Sequence, residues 1–356
     1  MPRKLFLYRL RTLLSISGIW LLSGIVFFEN LIHISNDLGV EINFFQFSIT
    51  FGIIGFIITA ALIFLLKPAF NHYPVWMSTL IKLGLTVLIF VIIIVVLSLI
   101  YFSLIYPNSF QEFITSFLKK ILQTHTFFSF LIDMALMTLF SIILLEVTDK
   151  YGPGMFWSIL IGEYHNPKKE NRIFIFLDIN ESTTIAEELG HGQYFLMLRR
   201  FFSDITMPVL ANDGDIYQYV GDEIVVSWKN TPENKLKSLK FIRNTFFLIE
   251  RFSKTYEERF GYVPRFKAGV HAGEVTAGFV GEIKRELIYT GDTLNTAARI
   301  RSMCHDLEES FVISEDFMQD FETPVNYTIE EKGTMEVKGK QEPVKVFAMN
   351  FDNGNS

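Results

Sequence analysis

The chain has 356 residues, of which 50% are hydrophobic and only 20% charged, with a formal net charge of -6. So apolar a composition excludes an ordinary soluble protein, and the acidic balance excludes nucleic acid as the main partner, because phosphate binding needs a basic face. The single cysteine, Cys304, excludes an intrachain disulfide, and no Cys/His cluster has zinc spacing.

The apolar residues concentrate before residue 147, in runs at 13–32, 47–66, 83–106 and 127–146. A helix needs about 20 mostly apolar residues to cross the hydrocarbon layer, and each run meets that. No small-residue cleavage site follows the first run, so it reads as a span and not as a cleaved leader. Arg3, Lys4, Arg9 and Arg11 precede the first span, and Lys150, Lys168, Lys169 and Arg172 follow the fourth. Residues 33–46 have no Lys or Arg, while Lys67 and Lys82 flank the second connection. Positive residues stay inside, which predicts a multi-pass protein of the plasma (inner) membrane with both termini in the cytoplasm. Lys119 and Lys120 run against that pattern. Asp133, inside the fourth span, reads either as a functional carboxylate or as one reaching water near the interface. His33 and His72 read as interfacial residues.

After residue 147 the pattern changes. Residues 148–170, with Gly152, Pro153, Gly154 and Pro167, read as a connector holding a short amphipathic helix over 154–161. IFIFLDI, 173–179, is a buried strand. Residues 182–212 form one long helix or two, with Gly190 and Gly192 as the break. IYQYVGDEIVVSW, 216–228, is a hairpin with a Gly-Asp turn. A helix over 235–260, a second hairpin over 266–281, a helix over 292–304 and paired strands over 331–349 complete an α/β sandwich with helices on one face of a sheet.

Asp178 ends the apolar strand and Asp222 lies on the hairpin turn. If those strands are neighbours, both carboxylates emerge at one end, where they could hold a pair of Mg²⁺ ions suited to a polyphosphate. Backbone N–H groups of residues 181–184, at a helix start, would face the phosphates. In DTLNTAARI, Asn295 and Arg299 lie four apart and share a helix face, about 6 Å from each other. An amide beside a guanidinium suits a phosphoryl group gaining charge. Singly, each residue also fits a blander role as a helix cap, turn residue or solvated side chain. Glu223 reads as a turn residue.

These words, in this order, resemble a class III nucleotide cyclase over roughly residues 171–350. FLDINEST resembles the first metal motif, which implies Asp178 and the Ile179 carbonyl as metal ligands. YVGDEIVVSW resembles the second, which implies Asp222. GDTLNTAARI resembles the transition-state helix, which implies Asn295 on the ribose and Arg299 on the phosphorus. GVHAGEVTAGFVG resembles a structural hairpin in which His271 is scaffold. EVKGKQEPVKVF resembles the closing motif, which implies Lys338 on the triphosphate, with Thr183 beside it at the helix start. The resemblance implies two Mg²⁺ or Mn²⁺ ions per site and a head-to-tail homodimer, each site taking carboxylates from one subunit and the Asn/Arg helix from the other.

The expected fold is a multi-pass α-helical membrane domain (1–147), a connector or transducer (148–170), an α/β, ferredoxin-like (palm) catalytic domain (171–350) and a tail (351–356). The expected function is conversion of ATP to cyclic AMP and pyrophosphate. Family members read the purine at positions that here hold Gln218 and Ile288. Gln218 serves adenine or guanine equally and Ile288 only packs, so guanylate cyclase stays open as an alternative. ATP is favoured because the Glu typical of GTP enzymes is absent. Glu181-Ser182 departs from the Gly-Phe of eukaryotic relatives. Two further readings are a diguanylate cyclase, on the imperfect match of VGDEI, and a non-enzymatic membrane receptor with a decayed cyclase domain.

Overall fold

A computed structural model of the chain describes residues 3–38, 43–70, 72–105, 125–151, 158, 161–322, 324–335 and 343–351. It divides into two compact units that part between Trp157 and Ser158.

The N-terminal unit is helical: α1 (Arg3–Leu38), α2 (Phe44–Ala61), α3 (Val75–Ile105) and α4 (His125–Tyr151). Each contains a stretch long and apolar enough to cross a membrane: Leu5–Phe28, Phe47–Phe70, Val75–Ile93 and Leu131–Lys150. The second stretch outlasts α2 because the helix continues through a π-helical turn (Leu62–Leu66) into Lys67–Phe70. Pro68 follows directly and has no N–H for an i→i−4 bond, so the backbone widens there, with the Lys67 N–H reaching back to the Leu62 carbonyl.

Small residues let these helices approach. A methyl on Gly55 would come within 2.2 Å of the Trp20 ring, so α1 and α2 touch through that glycine. Buried Trp20 donates its indole N–H to Ser141 Oγ at 2.8 Å, which fixes α1 against α4. Lys67 on the extension of α2 pairs with Asp149 on α4, and Lys82 on α3 stands 3.6 Å from Glu146 on α4. Asp133 is half-buried on α4. The helix expected at 154–161 lies largely outside the described residues, as do Lys119 and Lys120.

The C-terminal unit is a mixed sheet. Its strands are β1 (Lys168–Ile179), β2 (Asp215–Val220), β3 (Glu223–Lys229), β4 (Phe266–Val280), β5 (Glu286–Thr290), β6 (Phe311–Ser314), β7 (Tyr327–Met335) and β8 (Val344–Phe351). The order is β2-β3-β1-β4-β6-β8-β7, with β5 paired to the far end of β4. The β4–β6 pair is parallel and the others are antiparallel. β1 is therefore central, and Ile173 to Leu177 are buried on both faces of the sheet. The β2-β3-β1-β4 portion has the ferredoxin-like order.

Helices α5 (Ser182–Leu189), α6 (His191–Ala211), α7 (Pro232–Arg251), α8 (Ser253–Phe260), α9 (Asp292–Asp306) and α10 (Glu315–Met318) surround the sheet. Gly190, at φ 73°, separates α5 from α6. Odd-numbered residues of β1, with Ala268, Val270 and Ala272 of β4, pack into one core with Met197, Phe201 and Ile205 of α6 and Phe241 of α7.

Two expectations need correction. Helices cover both faces, not one. Gly269 and Gly273 point away from that core, and a methyl on either would strike α9, at the Arg301 backbone nitrogen (2.2 Å) or Thr293 Oγ1 (2.6 Å). For the same reason 266–281 is no hairpin in itself. β4 runs unbroken to Val280, and its hairpin partner is β5. Gly269 and Gly273 admit a helix and do not turn the chain.

Candidate active site

Asp178 is the penultimate residue of β1, and Asp222 follows Gly221 in the two-residue loop joining β2 to β3. Gly221, at φ 61°, supplies the positive dihedral that such a tight hairpin needs at its first loop position. Because β3 pairs with β1, that loop is carried to the end of β1, and Asp178 lies directly across from Glu223. The expected meeting of the two strands is therefore observed. Asp178 and Asp222 are within hydrogen-bonding reach of each other.

Two carboxylates that close repel unless a cation or a proton intervenes. Burial first, and then the hydrogen bond with Asp222, push the Asp178 carboxyl up to about 7, while the Arg301 guanidinium opposes the rise. Burial also raises Glu223, again against Arg301. Nearby Tyr194 of α6 is raised by burial and by the charge of Asp222. This strain suits a divalent cation. Among the described residues no group of three or more His, Cys, Asp or Glu converges as a metal site. Two carboxylates plus a backbone carbonyl, such as that of Ile179, match Mg²⁺, which keeps water and substrate oxygens in its remaining positions.

α5 opens at Ser182, right after the end of β1, and Thr183 is exposed on its first turn. Its N-terminal N–H groups are available to an anion. Glu181, at φ 54°, makes the sharp bend into this helix.

Asn295 and Arg299 project from α9. Thr293, Thr296, Ala297, Ile300 and Cys304 form its buried side, while Asn295 is exposed and Arg299 half-exposed. At about 100° per residue, the Asn/Arg face points away from the chain's own sheet. Among the described residues neither side chain takes a hydrogen-bond or ion-pair partner. One chain therefore does not bring Asn295 and Arg299 onto its own Asp178 and Asp222.

Gln218 is exposed on β2 and Ile288 is half-buried on β5. Their neighbours meet: a bulge at Tyr217 leaves its hydroxyl to accept the Tyr289 N–H at 3.2 Å. Lys338 lies outside the described residues. His271 is 2% exposed and shares a 2.8 Å hydrogen bond with Ser314, as befits scaffold.

Glu223 is not a turn residue. It begins β3, is 9% exposed, and accepts from Arg301 Nε (2.9 Å) and Nη2 (2.8 Å). Arg301 Nη1 also reaches Asp178 Oδ2 at 3.1 Å. Arg301 escaped the sequence reading; its one signal was its place two residues after Arg299 in the same motif.

Residues 164–350 match the family model of the adenylate and guanylate cyclase catalytic domain. The chain belongs to that family. It is 33% identical over 211 residues to adenylate cyclase 2 of Rhizobium meliloti, covering 58% of each chain. It is 28% identical over 179 residues to adenylate cyclase 1 of the same organism, covering 49% of this chain and 26% of that one. The chain thus spans a little over half the length of the first relative and about a quarter of the second. Among solved structures, adenylyl cyclase CyaB from P. aeruginosa superimposes with a TM-score of 0.47 at 19% identity, over 54% of this chain and 99% of that one.

Proposed function

We propose that this chain is a membrane-bound cyclase that converts ATP to cyclic AMP and pyrophosphate in a head-to-tail homodimer with two shared sites. The observation that carries the reading is the division of the site within one chain. Asp178 and Asp222 meet at the end of β1, while Asn295 and Arg299 face outward from α9. A second subunit turned head to tail would complete each half.

In that dimer Asp178, Asp222 and the Ile179 carbonyl would hold the two divalent cations, and bound Mg²⁺ or Mn²⁺ would supply charge that lowers the pKa of the ribose 3′-hydroxyl and offsets the triphosphate. Asn295 of the facing subunit orients the ribose. Arg299 neutralises charge gathering on the α-phosphoryl oxygens as the 3′-oxygen attacks and the bond to pyrophosphate breaks. Thr183 and Lys338 bind the triphosphate, and Gln218 and Ile288 line the base. ATP is the favoured substrate: the two Rhizobium relatives are named adenylate cyclases, and Gln218 lacks the charge of the Glu expected for guanine.

Residues 1–147 form the bilayer domain, 148–170 the connector, 171–350 the catalytic domain and 351–356 the tail, with both termini in the cytoplasm. The test is to incubate membranes carrying the full chain with Mg²⁺ or Mn²⁺ and either ATP or GTP, and to identify the product by mass. Cyclic AMP supports the reading. Cyclic GMP replaces its substrate, and neither product under any combination refutes it.

A further inference from the structure

The guanidinium of Arg301 spends its contacts on acids of its own chain. Nε and Nη2 take Glu223 Oε2, and Nη1 takes Asp178 Oδ2. The carboxylates around it are Asp178 near the end of β1, Asp222 in the β2–β3 loop and Glu223 at the start of β3. Lys267, in register with Asp178 on β4, is the next cation along the sheet. Arg301 comes from the flank of α9, roughly 200° around the helix from Arg299. Gly269 admits the Arg301 backbone directly against β4, and the contacts to Glu223 and Asp178 place the guanidinium beside the latter.

We propose that Arg301 is a positioning residue that acts as a built-in counter-ion to the carboxylate cluster and sets how tightly that cluster binds a divalent cation. The inference rests on the proposed metal role of Asp178 and Asp222 and goes beyond it. A fixed positive charge relieves repulsion among the three acids when no metal is bound. The same charge occupies a lone pair of Asp178 and repels an incoming cation. Metal affinity is thereby held down, and the cluster stays together in the metal-free chain.

The test is titration of the purified full-length protein with Mn²⁺ in the absence of nucleotide, with free Mn²⁺ read by electron paramagnetic resonance. Arg301→Met should bind Mn²⁺ about tenfold tighter or more, because the competing charge is gone. Arg301→Lys keeps the charge and should stay within about threefold of wild type. Structural damage would loosen the site, so a gain in affinity separates this role from a merely structural one. Arg301→Gln, which is neutral and polar, takes the place of the methionine variant if circular dichroism shows that the latter is unfolded. Unchanged or weaker binding in the neutral variants overturns the proposal while leaving the metal role of the carboxylates intact. No Mn²⁺ binding by wild type, or binding that survives Asp222→Ala, overturns both.

Discussion

Gly269 lies beneath the backbone of Arg301, so close that a methyl on the glycine would come within 2.2 Å of the arginine nitrogen. The strand thus sets the height of the helix that carries Asn295 and Arg299. Gly269→Ala should cost about 1–3 kcal/mol by overpacking, toward the upper end because the obstacle is backbone. That lowers the thermal midpoint by roughly 3–10 °C and depresses cyclase activity with it. Gly278→Ala is the control: its nearest neighbour is Pro167 Cα at 3.5 Å, an ordinary contact. Melts of the full chain in detergent should separate the two variants.

Cys304 reports on the same helix. Burial pushes its thiol up to about 12. At pH 8 only about one molecule in ten thousand carries the reactive thiolate. Iodoacetamide should therefore leave the native chain unlabelled for hours and label it within minutes in denaturant. Rapid native labelling would mean that α9 lifts from the sheet. The chain has no other cysteine, so intact mass alone reads the result.

Asp178 gives the metal-free protein a pH dependence of definite sign. Its carboxyl sits at about 7 in the folded chain, against about 4 when unfolded. The folded state holds this proton more tightly. Its contribution to stability is complete below about pH 4 and is lost as the pH rises through about 7. In EDTA the thermal midpoint should fall from about pH 5 to about pH 8, and Asp178→Asn should flatten that slope. Identical slopes in the two proteins would reject the assignment.

A shared site predicts complementation. Asp222→Ala and Arg299→Ala should each abolish product formation. Co-expressed in equal amounts, half the dimers are mixed, and each mixed dimer retains one intact site of two. About a quarter of wild-type activity should return. A mixture that stays dead, with mixed dimers shown by differential tags, excludes sites built from two subunits.

In the helical unit, Gly55→Ala should be felt through Trp20. The added methyl would fall 2.2 Å from the indole, which is held in turn by Ser141. The clash should separate α1 from α2 and lower the melting midpoint in detergent, whereas Gly84→Ala, with open space around it, should not.

What could be foreseen followed local rules. The four apolar runs became helices long and apolar enough to cross a membrane, as their length and composition announce. Asp178 and Asp222 met because an apolar strand and a Gly-Asp hairpin each announce where they end. Asn295 and Arg299 share a face by helical spacing alone. Long-range contacts were opaque. Arg301 and Glu223 stand 78 residues apart, and no periodicity links them, so Glu223 passed for a turn residue. The glycine-rich stretch 266–281 looked like a hairpin because a glycine that bends a chain and one that admits a helix are spelled alike. Only the neighbour overhead distinguishes them. β6, four residues long, is too short for alternation to declare itself.

The tie between Lys67 and Asp149 has a mechanical side. It clasps the foot of one rod to the foot of another. Sliding α4 along α2 by a full turn, about 5 Å, would tear the clasp open. Twisting α4 about its own axis by a few degrees would leave it shut. Of the two motions, only the slide costs this ion pair its contact.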